Sequence, residues 1–563
     1  MIRLTQPAAA DIEATSMRIA RPFCPAPNRT GAHPACERAL DRSRLARCLL
    51  VVLAVVALAC DSSPELPLAA AGLQDRVTIF GGSREDSLRD VAVGADGSIY
   101  VVGGTNSADF PVTAGAYDTT FDPGSDGGSR GPHDVVVARF TRNGQLDWAT
   151  FVGGPAYDRA YAVEVDATGV YVAGRAGVGF PTTPGVLQRI FAGDTSAPAS
   201  NRGAYGRQDG FALKLSLDGR TLLWSTYFGD DGPSFPRDMT IDADGDVYLA
   251  QNGVRTTSPH VTPGTYLPTR PSSGNVADSV IAKISGDGTS VIWATYLGGS
   301  GEDLVNPAIR VDAAERVYVA GETRSSDYPV FGLPQPLDGG LSSTLSGSSD
   351  LGVTALTADG SAALFSGYLG GSGPEETETH CVALIPGSNL IVSATTGSTD
   401  FPTTALAFQP GYGGGMLDGF VTELSPAGAL VASTFIGGSD NDALEGVAVA
   451  PSGAILITGV TRSADFPVSA SRLQDFVGGP RDQIVALFDP GLATRRYATF
   501  VGGSDTDSAR AAAFAPDGTL VAAGHSNSLD FPTTDGTRHT PSSPAVVFAE
   551  DMRDDTLVLI RQP

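Results

Sequence analysis

One motif returns seven times between residue 77 and the C-terminus, and a chain that repeats itself at this spacing has few folds open to it. Each copy opens on two aromatic or aliphatic residues and a glycine pair: Ile79-Phe80-Gly81-Gly82, Phe151-Val152-Gly153-Gly154, Tyr227-Phe228-Gly229-Asp230, Tyr296-Leu297-Gly298-Gly299, Tyr368-Leu369-Gly370-Gly371, Phe435-Ile436-Gly437-Gly438 and Phe500-Val501-Gly502-Gly503. Successive first glycines lie 65 to 76 residues apart. A unit of that size cannot bury its own apolar face and must stack on its neighbours, which implies a solenoid, a propeller or an array.

The second copy shows the internal plan. Residues 161–166 alternate apolar and polar side chains, Ala167-Thr168-Gly169 turns, and residues 170–174 return. Period-two runs around a short glycine turn read as a β-hairpin. The same hairpin recurs at 91–103, 239–250, 447–459 and 512–524. A third strand follows a longer Pro-, Gly- and Ser-rich loop, at 135–140, 211–215, 280–284, 352–356, 420–424, 484–488 and 557–560. A fourth runs into the next glycine pair, as at 146–151 and 222–227. Four short antiparallel strands per copy without helical periodicity describe a propeller blade.

The seventh copy stops after its third strand, while Arg76-Val77-Thr78-Ile79-Phe80 is a strand with no blade of its own. The two deficits cancel if the N-terminal strand completes the last blade and so removes an open sheet edge. The fold expected is all-β: a closed seven-bladed propeller of four-stranded antiparallel blades over residues 74–563.

Tyr296-Leu297-Gly298-Gly299-Ser300-Gly301-Glu302-Asp303, Val317-Tyr318-Val319-Ala320-Gly321-Glu322-Thr323, Ser326-Asp327-Tyr328-Pro329 and Asp418-Gly419-Phe420-Val421-Thr422-Glu423-Leu424 carry a likeness to a known family. Through them the chain resembles the bacterial "beta-propeller repeat" proteins of the SBBP family over residues 77–563. The resemblance implies an exported, repetitive surface or matrix-type protein with no shared enzymatic reaction. The third copy departs most, with Asp230 for the second glycine and Thr257-Ser258-Pro259-His260 for the Ser-x-Asp-Phe-Pro box.

Two aspartates recur. One precedes the third strand in every copy: Asp134, Asp209, Asp278, Asp350, Asp418, Asp482 and Asp555. Another precedes Phe-Pro or Tyr-Pro at Asp109, Asp327, Asp400, Asp465 and Asp530. Repetition in every blade points to structure, a carboxylate accepting backbone N–H bonds in a turn, more than to a ring of cation ligands. Asp242-Ala243-Asp244-Gly245-Asp246 resembles a calcium loop but lacks the glutamate six residues after its glycine. Trp148, Trp224 and Trp293 occupy equivalent fourth-strand positions, matched by Phe365 and Tyr497, which reads as packing between blades.

Ahead of the repeats, Arg38, Arg42, Arg44 and Arg47 precede the apolar run 49–59, which ends on Ala57-Leu58-Ala59-Cys60. A basic flank, a short apolar core and small residues describe an export signal over residues 1–60; about 20 residues would be needed to span a bilayer. Cys60 stands where a bacterial lipoprotein carries its lipid, so lipidation at Cys60 is expected, with a linker over 61–73. Residues 1–37 lie far upstream for a signal, which fits a start further downstream. Cys24, Cys36, Cys48 and Cys60 fall twelve apart, a spacing unlike the clustered pairs of metal sites. Only Cys381 remains in the mature domain.

The chain carries a formal charge of −25, a field that repels phosphate backbones and argues against nucleic acid as partner. The six histidines are scattered, and no nucleophile elbow, phosphate loop or dinucleotide fingerprint is present. No catalytic residue, metal or cofactor is assigned. The expectation is a monomeric, exported, envelope-anchored module that binds an extracellular protein or polysaccharide and meets the membrane only through its lipid. The alternative is a polymer-degrading hydrolase or lyase with a site at the propeller mouth. Its mark would be non-repeated polar residues, such as Arg255, His260, His525 and His539, converging in one pocket.

Overall fold

The computed structural model describes residues 75–124, 128–193, 204–333, 339–387, 389–475, 477–534 and 553–561. The segment expected to direct export, with Cys60, and His539 lie outside them. Seven antiparallel sheets account for nearly all the regular structure, and the single helix among the described residues is a 3-10 turn at Gly128–Arg130. Blade 1 runs from inner to outer strand as Asp86–Val93, Ile99–Thr105, Asp134–Phe140 and Leu146–Val152. The inner strand of each blade touches the inner strand of the next, and the seventh touches the first. The ring is closed.

Closure comes from the two ends of the chain. The last blade is Asp507–Phe514, Leu520–Ser526 and Asp554–Ile560, with Arg76–Phe80 as its outer strand. Val77 pairs with Val558 and Phe80 with Asp555. A backbone contact repeats the assignment. In the other blades the long loop between strands two and three returns to hydrogen-bond the outer strand, as Thr113 N–H does to Ala149 O and Thr404 N–H to Ser433 O. In the last blade the same bond runs from Thr534 N–H to Val77 O. The loops that lengthen the repeat thus lie along the outer strands and blunt sheet edges that would otherwise be free to pair with another chain.

The core is divided among the blade junctions. Seven apolar clusters each draw side chains from two adjacent blades, from the pairing of blades 7 and 1 around Phe80, Phe140 and Leu559 to that of blades 6 and 7 around Val77, Leu487 and Val558. The tryptophans link outer strands to neighbouring blades. Trp148, Trp224 and Trp293 donate their indole N–H to Leu217 O, Gly286 O and Ala358 O at 3.1, 2.9 and 2.9 Å. Each ring lies against a turn glycine of that neighbour; at Gly288 (φ +69°) a Cβ would meet the Trp224 ring at 2.6 Å.

Two predictions follow from this geometry. Deleting residues 75–80 removes five paired residues and the buried side chains Val77, Ile79 and Phe80. At about 0.5–1.5 kcal/mol per ladder bond and about 1.5–3 kcal/mol per side chain, the loss rivals a typical stability of 5–15 kcal/mol. Thermal melting should show the truncated protein aggregated or melting far below the parent. Trp224→Ala should lower stability by about 3–5 kcal/mol in a chemical melt, and Trp224→Phe by only about 1 kcal/mol through the lost indole bond.

Candidate functional site in the axial channel

The repeated acids sit at the blade junctions. Third strands open on Asp134, Asp209, Asp278, Asp350, Asp418 and Asp482. Most of these accept bonds from the loop that precedes them: Asp209 from Ala192 and Gly193 N–H, Asp350 from Ser346 and Gly347 N–H, Asp482 from Gly478 and Gly479 N–H. In the last blade the register gives this position to Asp554, not Asp555. Neighbours on a strand face opposite sides, so Asp555 points instead to blade 1 and accepts Leu88 N–H at 2.7 Å. Asp109, Asp327, Asp400, Asp465 and Asp530 each accept both the N–H and the hydroxyl of the serine after the glycine pair.

A third recurring acid, absent from the sequence reading, opens the inner strand or directly precedes it, four residues after the second glycine: Asp86, Asp158, Asp303, Glu375, Asp442 and Asp507. Each accepts that glycine's N–H, at 2.7 Å for Asp86 and 2.6 Å for Asp442. The fixed spacing was legible in the sequence. Blade 3 inverts the pair: Ser234 stands at the strand position and Asp230 at the glycine, and the two bond to each other. The carboxylate keeps its place although its residue has moved. The first glycine lies between the two acids, and a Cβ at Gly370 would meet Asp350 Oδ1 at 2.6 Å.

Burial raises many of these carboxyls: to about 8 for Asp86 and Asp134, about 7 for Asp158, Asp209, Glu375 and Asp507, and about 6 for Asp278, Asp418 and Asp442.

The repeat breaks on the inner strands. A register shift isolates one residue at Arg89, Tyr161, Arg237, Glu445 and Arg510 in blades 1, 2, 3, 6 and 7. Such bulges re-aim a side chain, and here side chains from separate blades converge on the axis. The Arg89 and Arg237 guanidinium carbons lie 5.9 and 4.7 Å from the Tyr161 ring centre. Arg510 of blade 7 pairs with Glu445 of blade 6 at 3.1 Å and with Glu378 of blade 5 at 3.4 Å. Blades 4 and 5 are the most distorted. Leu304 and Asn306 have φ of +46° and +51°, and the inner strand of blade 5 splits into Glu375–Glu376 and Val382–Leu384.

Among the described residues, the guanidinium groups of Arg89, Arg159, Arg175, Arg237, Arg481, Arg510 and Arg553 stand around this ring, with the carboxylates Glu85, Glu378 and Glu445 among them. Arg159 bonds Ser87 Oγ at 2.6 Å and the Tyr157 hydroxyl at 3.1 Å. Arg175 donates to the Tyr161 hydroxyl and lies 4.3 and 4.4 Å from the Tyr205 and Phe235 ring centres. Desolvation and neighbouring cations push Arg89, Arg237, Arg481 and Arg553 below the usual arginine range. Burial alone would raise Tyr161, but Arg175, Arg237, Arg159 and Arg89 hold its phenol down at about 7.

Below the ring His380 spans the axis. Its Nε2–H donates to Tyr161 O of blade 2 at 3.0 Å, while Nδ1 lies 3.2 Å from Asp238 of blade 3 and 3.7 Å from Asp90 of blade 1. Acceptors face both nitrogens, an arrangement that favours the imidazolium. Burial opposes this charge, but Asp90 and Asp238 outweigh it and raise the His380 pKa. The backbone there is left-handed, φ +70°, a strain of the kind found at functional sites. Arg310 pairs with Asp238 at 2.7 Å; although burial would raise Asp238, Arg310 and His380 bring it down to about 2. Burial lifts Glu164 to about 7. These groups roof a chamber of about 360 Å³, with walls that include Val91, Val163, Val447 and Phe514.

The residues flagged from sequence do not form this site. His260 takes the place of the box aromatic and stacks on Phe228 at 4.3 Å; burial pushes it down to about 4. Arg255 lines a separate cavity of about 170 Å³ beside Phe235 and Glu302. His525 is buried beside the arginine cluster, and desolvation followed by Arg510 and Arg553 keeps it neutral. In the run 242–246, Lys283 Nζ lies 2.8 Å from Asp242 and 3.4 Å from Asp246. Cys381 is buried and its thiol pushed up to about 12, which makes it a poor nucleophile. His380 and Cys381 lie in the break of the blade 5 inner strand, not within a strand.

Neither a family model nor a curated protein sequence matches the chain. Among solved structures, a protein of unknown function from Dyadobacter fermentans aligns at 10% identity and TM-score 0.37, over 87% of this chain and 100% of the other. A europium-containing methanol dehydrogenase aligns at 8% and 0.36, over 86% and 93%. The quinohemoprotein alcohol dehydrogenase of Comamonas testosteroni aligns at 11% and 0.37, over 87% and 78%.

The raised groups set a pH dependence. A carboxyl with a higher pKa folded than unfolded contributes stability below its unfolded value near 4, and loses it as pH rises to its folded value of about 6–8. His380, also raised, loses its contribution in the same direction. Asp238, lowered, acts only as pH falls below 4. The melting temperature should therefore be higher at pH 5 than at pH 7. Scanning calorimetry in matched ionic strength checks this, and a higher value at pH 7 would contradict it.

Proposed function

We propose that this chain is an exported, envelope-anchored propeller of the SBBP type, and that it acts as a non-enzymatic binding or scaffold module for protein or polysaccharide at the arginine-rich end of its axial channel. One observation carries the reading: polar residues that repeat from blade to blade are engaged in turns and junctions, whereas the inner-strand bulges carry no common residue, presenting Arg, Tyr, Arg, Glu and Arg in blades 1, 2, 3, 6 and 7. A scaffold needs the first set seven times; a ligand needs the second once. The acidic remainder of the molecule would screen out bulk polyanions and leave the channel as a local positive focus. The test is retention of envelope polysaccharide or protein on immobilised full-length protein and on its Arg510→Gln variant. Ligand held by the parent and released by the variant supports the reading, and equal retention overturns it. The anchor is tested by fatty-acid labelling, which should mark the parent and spare Cys60→Ala.

A second reading, a hydrolase or lyase at the same mouth, draws on Tyr161. A phenol held at about 7 among arginines has the protonation range of a general base. Release of shortened or unsaturated products from a retained polymer, abolished in Tyr161→Phe, would favour this reading over simple binding.

A further inference from the structure

Arg89 and Arg237 are the two bulge arginines that approach the Tyr161 ring without a partner of their own. Each is partly buried, and among the described residues neither has a side-chain hydrogen bond or ion pair, a condition that Arg481 and Arg553 share. Arg159, Arg175 and Arg510 have such partners. An uncompensated guanidinium away from bulk water is costly, and here two approach one tyrosine ring from blades 1 and 3. No packing role requires either charge, since a neutral side chain could fill the same space. A charge kept where it destabilises the free protein implies a counter-charge that arrives with a ligand.

We propose that Arg89 and Arg237 form the seat for a single carboxylate carried by an acidic saccharide, a uronic acid residue. The inference deepens the binding-module reading and rests on it. Planar guanidinium groups match the two oxygens of a carboxylate. Glu378 and Glu445 stand across the ring on Arg510; they would repel a phosphate dianion more strongly than a carboxylate monoanion. Glu378 keeps 42% of its side chain accessible, open to accept a sugar hydroxyl bond. In the free protein the phenol of Tyr161, which receives Arg175, is the nearest anionic substitute. A bound carboxylate would take over that role and return the phenol to its neutral form.

The experiment is calorimetric titration of the full-length protein with trigalacturonate, with its methyl ester and with inorganic phosphate. Trigalacturonate should bind, the ester at least tenfold more weakly, and phosphate no better than the ester. Arg89→Gln and Arg237→Gln should each weaken trigalacturonate at least tenfold, while leaving the melting temperature of the free protein unchanged or higher. Tyrosinate absorbance near neutral pH should fall as trigalacturonate is added. Equal binding of the ester, stronger binding of phosphate, unaltered affinity in both variants or a lowered melting temperature in both would each overturn the inference. If all three probes fail while an envelope ligand is still held in an Arg510-dependent way, the carboxylate seat is wrong and the binding module stands. If that ligand is absent too, both fall.

Discussion

No blade of this protein can exist by itself, because its sheet faces are buried only against its neighbours. The seven apolar clusters lie between blades, so each blade depends on two others and the ring must close to satisfy the first and last. The pairing of Arg76–Phe80 with Asp554–Ile560 supplies that closure. It buries Phe80 in the cluster of blades 7 and 1, and Val77 and Ile79 in that of blades 6 and 7. A closed ring then forces seven inner strands to face one axis, and every property of the channel follows from that crowding.

The junctions show how strictly the repeat is held. Each glycine pair passes between two carboxylates, one from the third strand of its own blade and one from the inner strand of the next. Loop N–H groups and Ser or Thr hydroxyls satisfy these acids; Thr105 and Ser107, for example, both donate to Asp86. Blade 3 exchanges the positions of acid and small residue and keeps the bonds. Conserved geometry with altered residues marks these groups as parts of the turn. Their burial raises their pKa values, so each favours the fold while it holds its proton.

On the axis the logic reverses. Equivalent bulges present Arg, Tyr, Arg, Glu and Arg, and the sevenfold pseudo-symmetry of the scaffold ends there. His380, with a strained backbone, reaches residues of blades 1, 2 and 3 and lines a chamber of about 360 Å³. A scaffold that tolerates unpaired guanidinium groups at its centre is stable enough elsewhere to bear them, which is what closure and seven separate cores provide.

The sequence by itself determined the architecture. Glycine-pair spacing counted the blades, period-two runs placed the strands, and the missing fourth strand of the last copy located Arg76–Phe80. These are local signals: a strand alternates and a turn needs its glycine wherever they stand. It also placed most of the junction aspartates, but one position slipped, because in Asp554-Asp555 only pairing decides which carboxylate faces the junction. The channel was not legible. Arg89, Tyr161, Arg237, Glu445 and Arg510 do not repeat one residue type as the junction acids do, and a bulge leaves no mark in an alternating pattern. His380 looked like one of six scattered histidines, although it meets Tyr161 across 219 residues of sequence. Only closing the ring brings one residue from each blade to a common axis, and that is a property of the assembled circle, not of any segment of the chain.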